Sequence, residues 1–219
     1  MTVTVKDIVD AQVHIGTLKN EAHPKTSKYR LEVVNNVVVL DPELVLQQLD
    51  KARAKVQEVK KSGKDILLVC EKKMYADEIK TLWEKYGVSY LNYKAPGGFL
   101  TNFDTFKARI GSMNKMAEFI WSEEFDSLTK KEQQIYKRNL SRAKKVYEWV
   151  KTLTQKPGLA IVVDGSMMEN FIKELWHQKD VESIIIAATN YNKYLWENDV
   201  IANMLSYKSV DFVMNYILS

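Results

Sequence analysis

The chain has 219 residues, of which 46% are hydrophobic, with a formal net charge of +4 and a single cysteine. That length buries one good core plus an appendage, and no apolar run approaches the ~20 residues of a membrane span. Three histidines and one cysteine offer no zinc-ligand spacing, so no metal site is expected. The opening MTVTVKDIVDAQVHIG is expected to be neither a secretory signal nor a transit peptide.

In chain order, HPKTSKYR (23–30) gathers His23, Lys25, Lys28 and Arg30 around Tyr29 and reads as a basic loop. Residues 37–40 (VVVL) read as a short buried strand. Asp41-Pro42 follows as N-cap and first helical residue, and Leu44, Val45, Gln48, Leu49, Ala52, Val56 and Val59 then recur at helical spacing until Ser62-Gly63. A second buried strand is expected at 66–70, a helix at 75–86 ending at Gly87, and a third strand at 88–92. Apolar runs at 159–163 and 183–187 flank a helix over 168–177, and a last helix covers 208–218. Buried strands alternating with helices predict an α/β fold with a parallel, doubly wound (flavodoxin/Rossmann-like) sheet. Cys70, closing the run DILLVC, reads as a buried thiol in a reducing compartment rather than a nucleophile.

Residues 104–156 break that alternation. Phe106, Ile110, Met113, Ala117 and Ile120 repeat as four, three, four, three, and Tyr136, Leu140, Ala143, Tyr147 and Val150 repeat at similar spacing. Thr129 and Glu132, between the two series, form a capping box. The pattern predicts an α-helical coiled-coil hairpin over 104–156, inserted into an α/β domain made of 1–103 and 157–219. Charge follows the same division. Residues 107–156 hold 12 Lys/Arg against 6 Asp/Glu, whereas 157–219 hold 4 against 8. Cations concentrated on one element attract a polyanion, although a solvated helix face accounts for one such patch equally well.

Enzymatic chemistry has less support. The turns after the expected strands read LDPE, CEKK and VDGS, with no Gly-rich dinucleotide or phosphate loop. Asp41 and Asp164 stand where an α/β enzyme places acids, but an N-cap explains each, and capping is the preferred reading. A nucleotide- or phosphosugar-binding enzyme stays open as the alternative, and a protein-binding helical scaffold as a third. Lys25, Lys28, Arg30, Lys72, Lys73, Lys94, Lys107 and Arg109 form several basic patches suited to phosphates. One stretch, YKAPGGFLTNF (93–103), sets Gly97 beside Gly98, where something approaches the backbone closely.

The segments VHIG, HPKTSKY, VVVLDPE, LLVCEKK, APGGFLTNF, LTKKE, IVVDGS and ATN, in this order, resemble the bacterial-type family of small-subunit ribosomal protein two. The resemblance implies a parallel-sheet domain with a coiled-coil insertion that binds small-subunit ribosomal RNA near the head–body junction. It also implies neighbouring small-subunit proteins as partners, in bacteria the mRNA-capturing protein one among them, and no catalysis, cofactor, small-molecule substrate or membrane. Gly97, Gly98, Thr101 and Asn102 then join the cations as expected RNA contacts, the last two alternatively capping the first arm helix. The chain departs from the family pattern at Cys70-Glu71, Ala95-Pro96, Ala188 and 202–205, and the acidic tail common in bacterial members is missing after 218. With many Lys, Asn and Tyr, this drift suggests an AT-rich genome, and a mitochondrial matrix protein is expected in preference to one from a bacterium or plastid.

Overall fold

A computed structural model describes residues 3–151, 153, 155–192 and 197–219. Thr152 and Thr154, inside the expected arm segment, fall outside the described residues.

Helix α1 (Val5–Asp10) leads into strand β1 (Ile15–Leu18), followed by a 3-10 turn (Pro24–Tyr29), strands β2 (Arg30–Val34) and β3 (Val37–Leu40), and helix α2 (Pro42–Lys61). Asp41 caps α2 as expected, its carboxylate accepting the Glu43 N–H at 2.9 Å, and Val45, Leu49, Ala52, Val56 and Val59 form the buried stripe. Gly63, at φ 68°, ends the helix in a left-handed conformation that costs an L side chain ~1–2 kcal/mol.

The strand at 37–40 does not open the parallel sheet. β3 lies between β1 and β2 in a separate three-stranded antiparallel sheet. Its residues alternate half-buried and buried, which is the one-faced pattern of an antiparallel strand rather than the continuous burial of a parallel one. The cause is local: Asn35 and Asn36 both have positive φ (48° and 65°), the geometry of a two-residue hairpin turn that Asn tolerates. That turn returns the chain beside β2.

The main sheet has five parallel strands in the order β5-β4-β6-β7-β8: β4 (Ile66–Val69), β5 (Ser89–Leu91), β6 (Leu159–Val163), β7 (Glu182–Ala187) and β8 (Val200–Ile201). β4 pairs with β5 on one side and with β6 on the other, with Leu67 opposite both Ser89 and Ala160. Every residue of β4, β5 and β6 is buried, as helices on both faces require. Helices α3 (Ala76–Tyr86), α7 (Glu169–His177) and α8 (Tyr207–Leu218) complete the α/β domain.

Between β5 and β6 lie α4 (Phe103–Phe119), the short α5 (Glu123–Asp126) and α6 (Lys130–Tyr147). Ring contacts set the pairing. Phe106 at the start of α4 lies 6.2 Å from Tyr147 at the end of α6, and Phe119 lies 5.3 Å from Tyr136, so the helices run antiparallel. Phe125 of α5 closes the tip against Phe119 at 5.9 Å. The capping box is present: Glu132 accepts the Thr129 N–H at 3.0 Å and its hydroxyl at 2.7 Å. The seam is shallow, since α4 buries Phe106, Ile110 and Met113 whereas α6 fully buries none of its residues. Trp149, just past α6, stacks on Tyr90 of β5 at 5.1 Å and moors the hairpin to the sheet.

Candidate nucleic-acid interface

All five strands point the same way, so the loops after β4, β5, β6 and β7 share one edge of the sheet. In an open α/β sheet this edge holds the ligand crevice, at the strands between which the chain reverses its order. Here that point lies between β4 and β6, and side chains of the protein bridge it. Lys72, beyond β4, donates from Nζ to Asp164 Oδ2 at 3.0 Å, beyond β6, and to the Met204 carbonyl at 2.6 Å. The Tyr75 hydroxyl reaches the same carbonyl at 2.8 Å, and Ser166 Oγ donates to Asp164 Oδ1 at 2.5 Å. Burial pushes the Cys70 thiol beneath this group up to about 11, and the nearby Asp164 carboxylate adds to the effect, so it stays a protonated thiol.

This arrangement revises the reading of Asp164. It sits at φ 64°, five residues before α7 begins, and its carboxylate is held by Lys72 and Ser166 rather than by a helix N-terminus. Asp41 does cap, but beyond a strand of the other sheet, so the two acids do not flank one crevice.

The paired glycines meet a carboxylate of their own chain. Gly98, at φ 82°, donates its N–H to Glu174 of α7, and Leu100 donates to the other oxygen at 3.3 Å. Glu71 holds the same loop from the opposite side, accepting the Ala95 N–H at 2.9 Å. Gly97 has a negative φ and open space around it. The cavity under the loop, about 360 Å³, is lined by Glu71, Glu169 and Glu174 with Lys94 as its one lysine. Three carboxylates to one ammonium repel a phosphate.

The expected contacts divide accordingly. Lys73, Lys94, Thr101, Asn102, Lys107 and Arg109 are exposed, running from the strand-end loops onto the first turns of α4. The Asn102 side chain does not cap α4, because its Oδ1 accepts the Thr105 hydroxyl at 2.6 Å instead. Arg109 lies over the Phe106 ring at 4.9 Å. The basic segment 23–30 is not an open loop but a 3-10 turn. Lys25 of that turn donates to the Asn192 carbonyl at 3.1 Å, beyond β7, which places it at the same sheet edge. Lys28 covers the Tyr29 ring at 4.7 Å. Arg30 turns inward to the His23 carbonyl at 2.5 Å and Thr26 Oγ1 at 3.0 Å. Lys72, with its internal partners, is the other cation turned away from solvent.

Thr189, which sequence reasoning did not single out, joins the two sheets. Its hydroxyl accepts the Thr17 N–H at 2.8 Å and lies 2.7 Å from the Thr17 hydroxyl, while its carbonyl takes the His23 N–H at 2.9 Å and the Thr26 hydroxyl at 3.0 Å. Gly16 is needed here, since a Cβ would sit 2.8 Å from Thr189 Cγ2 and 2.9 Å from the Val38 carbonyl oxygen. Three of the sequence segments noted above, VHIG, HPKTSKY and ATN, thus meet at one buried junction.

Comparison with known proteins points to a single family. The family model described as "Ribosomal protein S2" matches residues 8–219. The small ribosomal subunit protein uS2 of Coprothermobacter proteolyticus is 31% identical over 78% of this chain and 64% of its own length, so the match spans just under two thirds of that relative. Those of Cytophaga hutchinsonii and Fusobacterium nucleatum are 28% and 29% identical, over 96% and 98% of this chain and 83% and 87% of theirs. With residues 8–219 of its 219 matched by the family model, the chain belongs to the ribosomal protein S2 family.

Proposed function

We propose that this protein is a structural constituent of the small ribosomal subunit that binds ribosomal RNA and neighbouring subunit proteins in support of translation. The family match over residues 8–219 carries the reading. The sheet edge and the arm supply the chemistry: Lys25, Lys28, Lys73, Lys94, Lys107 and Arg109 neutralise phosphates, with Gly97, Thr101 and Asn102 close to the RNA backbone. Residues 104–156 act as a coiled-coil arm carried by a body of 1–103 and 157–219, and together they dock near the junction of head and body. Lys72, Arg30 and Gly98 serve the same surface from within, by holding its loops in shape.

The three relatives named above are bacterial, which supports a ribosome in bacterial cytoplasm and lends nothing to the mitochondrial assignment expected from sequence drift. No observation favours the enzyme alternative, whose crevice is bridged by Lys72 and Asp164. No described helix is long and apolar enough to cross a membrane.

The test is sedimentation of lysate on a low-magnesium gradient with the protein tracked by antibody. Comigration with the small subunit at near-equal stoichiometry, resisting a moderate salt wash, is expected. Protein left at the top of the gradient while other small-subunit proteins sediment refutes the reading.

A further inference from the structure

One groove between the two long helices sets indole rings and lysines in the same lining. It lies along α4 and α6, has a volume of about 520 Å³, and is lined by Ile120, Trp121, Leu140, Lys144, Lys145 and Trp149, among others. Trp121 is 90% exposed, the extreme among the large hydrophobic side chains of the described residues. An indole left this far in water forgoes roughly 2–3 kcal/mol of burial, so its position calls for an occupant. It is also not on a frayed loop. Its own N–H bonds the Glu118 carbonyl at 3.0 Å and the next N–H, of Ser122, bonds the Phe119 carbonyl at 3.0 Å, so the ring is presented from a fixed turn between α4 and α5.

The electrostatics choose the occupant. α6 carries seven Lys or Arg and one Glu. Neither Lys144 nor Lys145 has an ion-pair partner among the described residues, and Glu148 is the one carboxylate in the groove lining. Lys137 is already placed over the Phe125 ring at 5.6 Å, and Trp149 over Tyr90, which leaves Trp121 as the open ring and Lys144–Lys145 as the open cations. An exposed aromatic face that shares a groove with paired cations is a combination that binds single-stranded nucleic acid, with base on ring and phosphate on ammonium further along the strand. We propose that the Trp121 groove is a stacking site for an unpaired nucleobase of single-stranded RNA, with Lys144 and Lys145 on the flanking phosphates. This rests on the ribosomal reading above and adds to it the class of RNA, unpaired rather than duplex, and the residues that select it.

The experiment uses the full chain and two fluorescein-labelled probes, an oligouridine RNA of about 12 nucleotides, enough to span one binding groove, and an RNA duplex of equal length, with binding read by anisotropy. Trp121→Ala is expected to weaken oligouridine binding about tenfold or more and to leave duplex binding unchanged, while Trp121→Phe keeps affinity within about threefold of the parent. The pair Lys144→Gln and Lys145→Gln is expected to flatten the salt dependence for oligouridine by about 1.4 in log–log slope. Circular dichroism confirms that each variant is folded. Unchanged oligouridine binding by Trp121→Ala, or equal losses on both probes, overturns the inference. So does a Trp121→Ala protein that binds both RNAs normally but no longer captures a purified small-subunit protein, which makes the groove a protein interface. Each of these results leaves cosedimentation of the parent protein with the small subunit intact, whereas loss of that cosedimentation sinks the ribosomal reading itself.

Discussion

Replacing Lys72 by Met separates a structural cation from an RNA contact. The lysine side chain is 19% exposed and that of its partner Asp164 is 6% exposed, so removing the ammonium strands a carboxylate that water barely reaches. Breaking a buried pair from one side costs about 3–5 kcal/mol. Partial exposure of Lys72 and the surviving Ser166 hydroxyl on Asp164 bring the expectation down to about 2–3 kcal/mol. The Met204 carbonyl adds little, because the Tyr75 hydroxyl stays on it. For a chain of this length that corresponds to a fall in Tm of roughly 5–10 °C. Asp164→Asn, which keeps a residue tolerant of φ 64°, is expected to restore at least half of the loss when combined with Lys72→Met, because no buried charge then remains. Urea unfolding of the four proteins of this cycle measures the coupling. RNA binding measured against salt supplies the second readout: the log–log slope is expected to be unchanged by Lys72→Met and to flatten by about 0.7–0.9 in Lys73→Gln. A Lys72→Met protein as stable as the parent, or with a flatter salt slope, refutes the assignment of Lys72 to the interior.

Three further outcomes follow from buried polar groups and backbone geometry. Both carboxylate oxygens of Glu78 are buried without a hydrogen-bond partner among the described residues, and burial raises its pKa, with Asp211 and Asp77 adding to the effect. A raised folded-state pKa means that stability falls as pH climbs from the ordinary carboxylate range through the folded value; Glu78→Gln is therefore expected to stabilise by about 1 kcal/mol at pH 7 and to make no difference near pH 4, by thermal melts at both. Gly98→Ala, at φ 82°, is expected to cost about 1–2 kcal/mol, while Gly97→Ala, with nothing within 4 Å of its Cβ, stays near the parent; equal effects in urea unfolding contradict the left-handed assignment. Thr189→Val removes the acceptor of the buried Thr17 N–H and is expected to cost about 1–3 kcal/mol, with hydrogen exchange at Thr17 accelerating in step.

What the sequence makes legible depends on how far each cause lies from its effect. β6 and β7 are readable because runs of consecutive apolar residues, five in β6 and four in β7 from Ile184 to Ala187, leave no choice but burial on both faces. α2 is readable because Asp41, Pro42 and Gly63 mark both of its ends within the chain itself. β2 escapes the same reading because Leu31, Val33 and Val34 remain exposed, so no burial period forms, although Asn35-Asn36 was a hairpin signal within reach. The double glycine announces a close approach, but its partner Glu174 lies 76 residues away and only the fold joins them. Lys72 and Lys73 are neighbours of one type with opposite fates. In a loop leaving a buried strand, which of two adjacent side chains turns inward is decided by what the next strand offers, here Asp164 across β4 and β6.

The internal bonds and the proposed RNA surface are connected through entropy. Long basic side chains on mobile loops lose freedom when a phosphate fixes them, and that cost is subtracted from affinity. In this protein the loops are fixed beforehand: Glu71 and Glu174 clasp the glycine loop from both sides, Lys72 and Asp164 tie the turns after β4 and β6, and Thr189 pins the 3-10 turn bearing Lys25 and Lys28. Each of these bonds uses a polar group that a ligand-binding α/β protein would turn toward its crevice. Spending them internally bridges the point between β4 and β6 and leaves preorganised cations around that edge. In the proposed RNA-binding role, the number of phosphates neutralised is then set by the outward cations alone, and the affinity gained per phosphate by the inward bonds. Salt dependence reports the first and affinity at fixed salt reports the second, so damage to either can be told apart in one titration series.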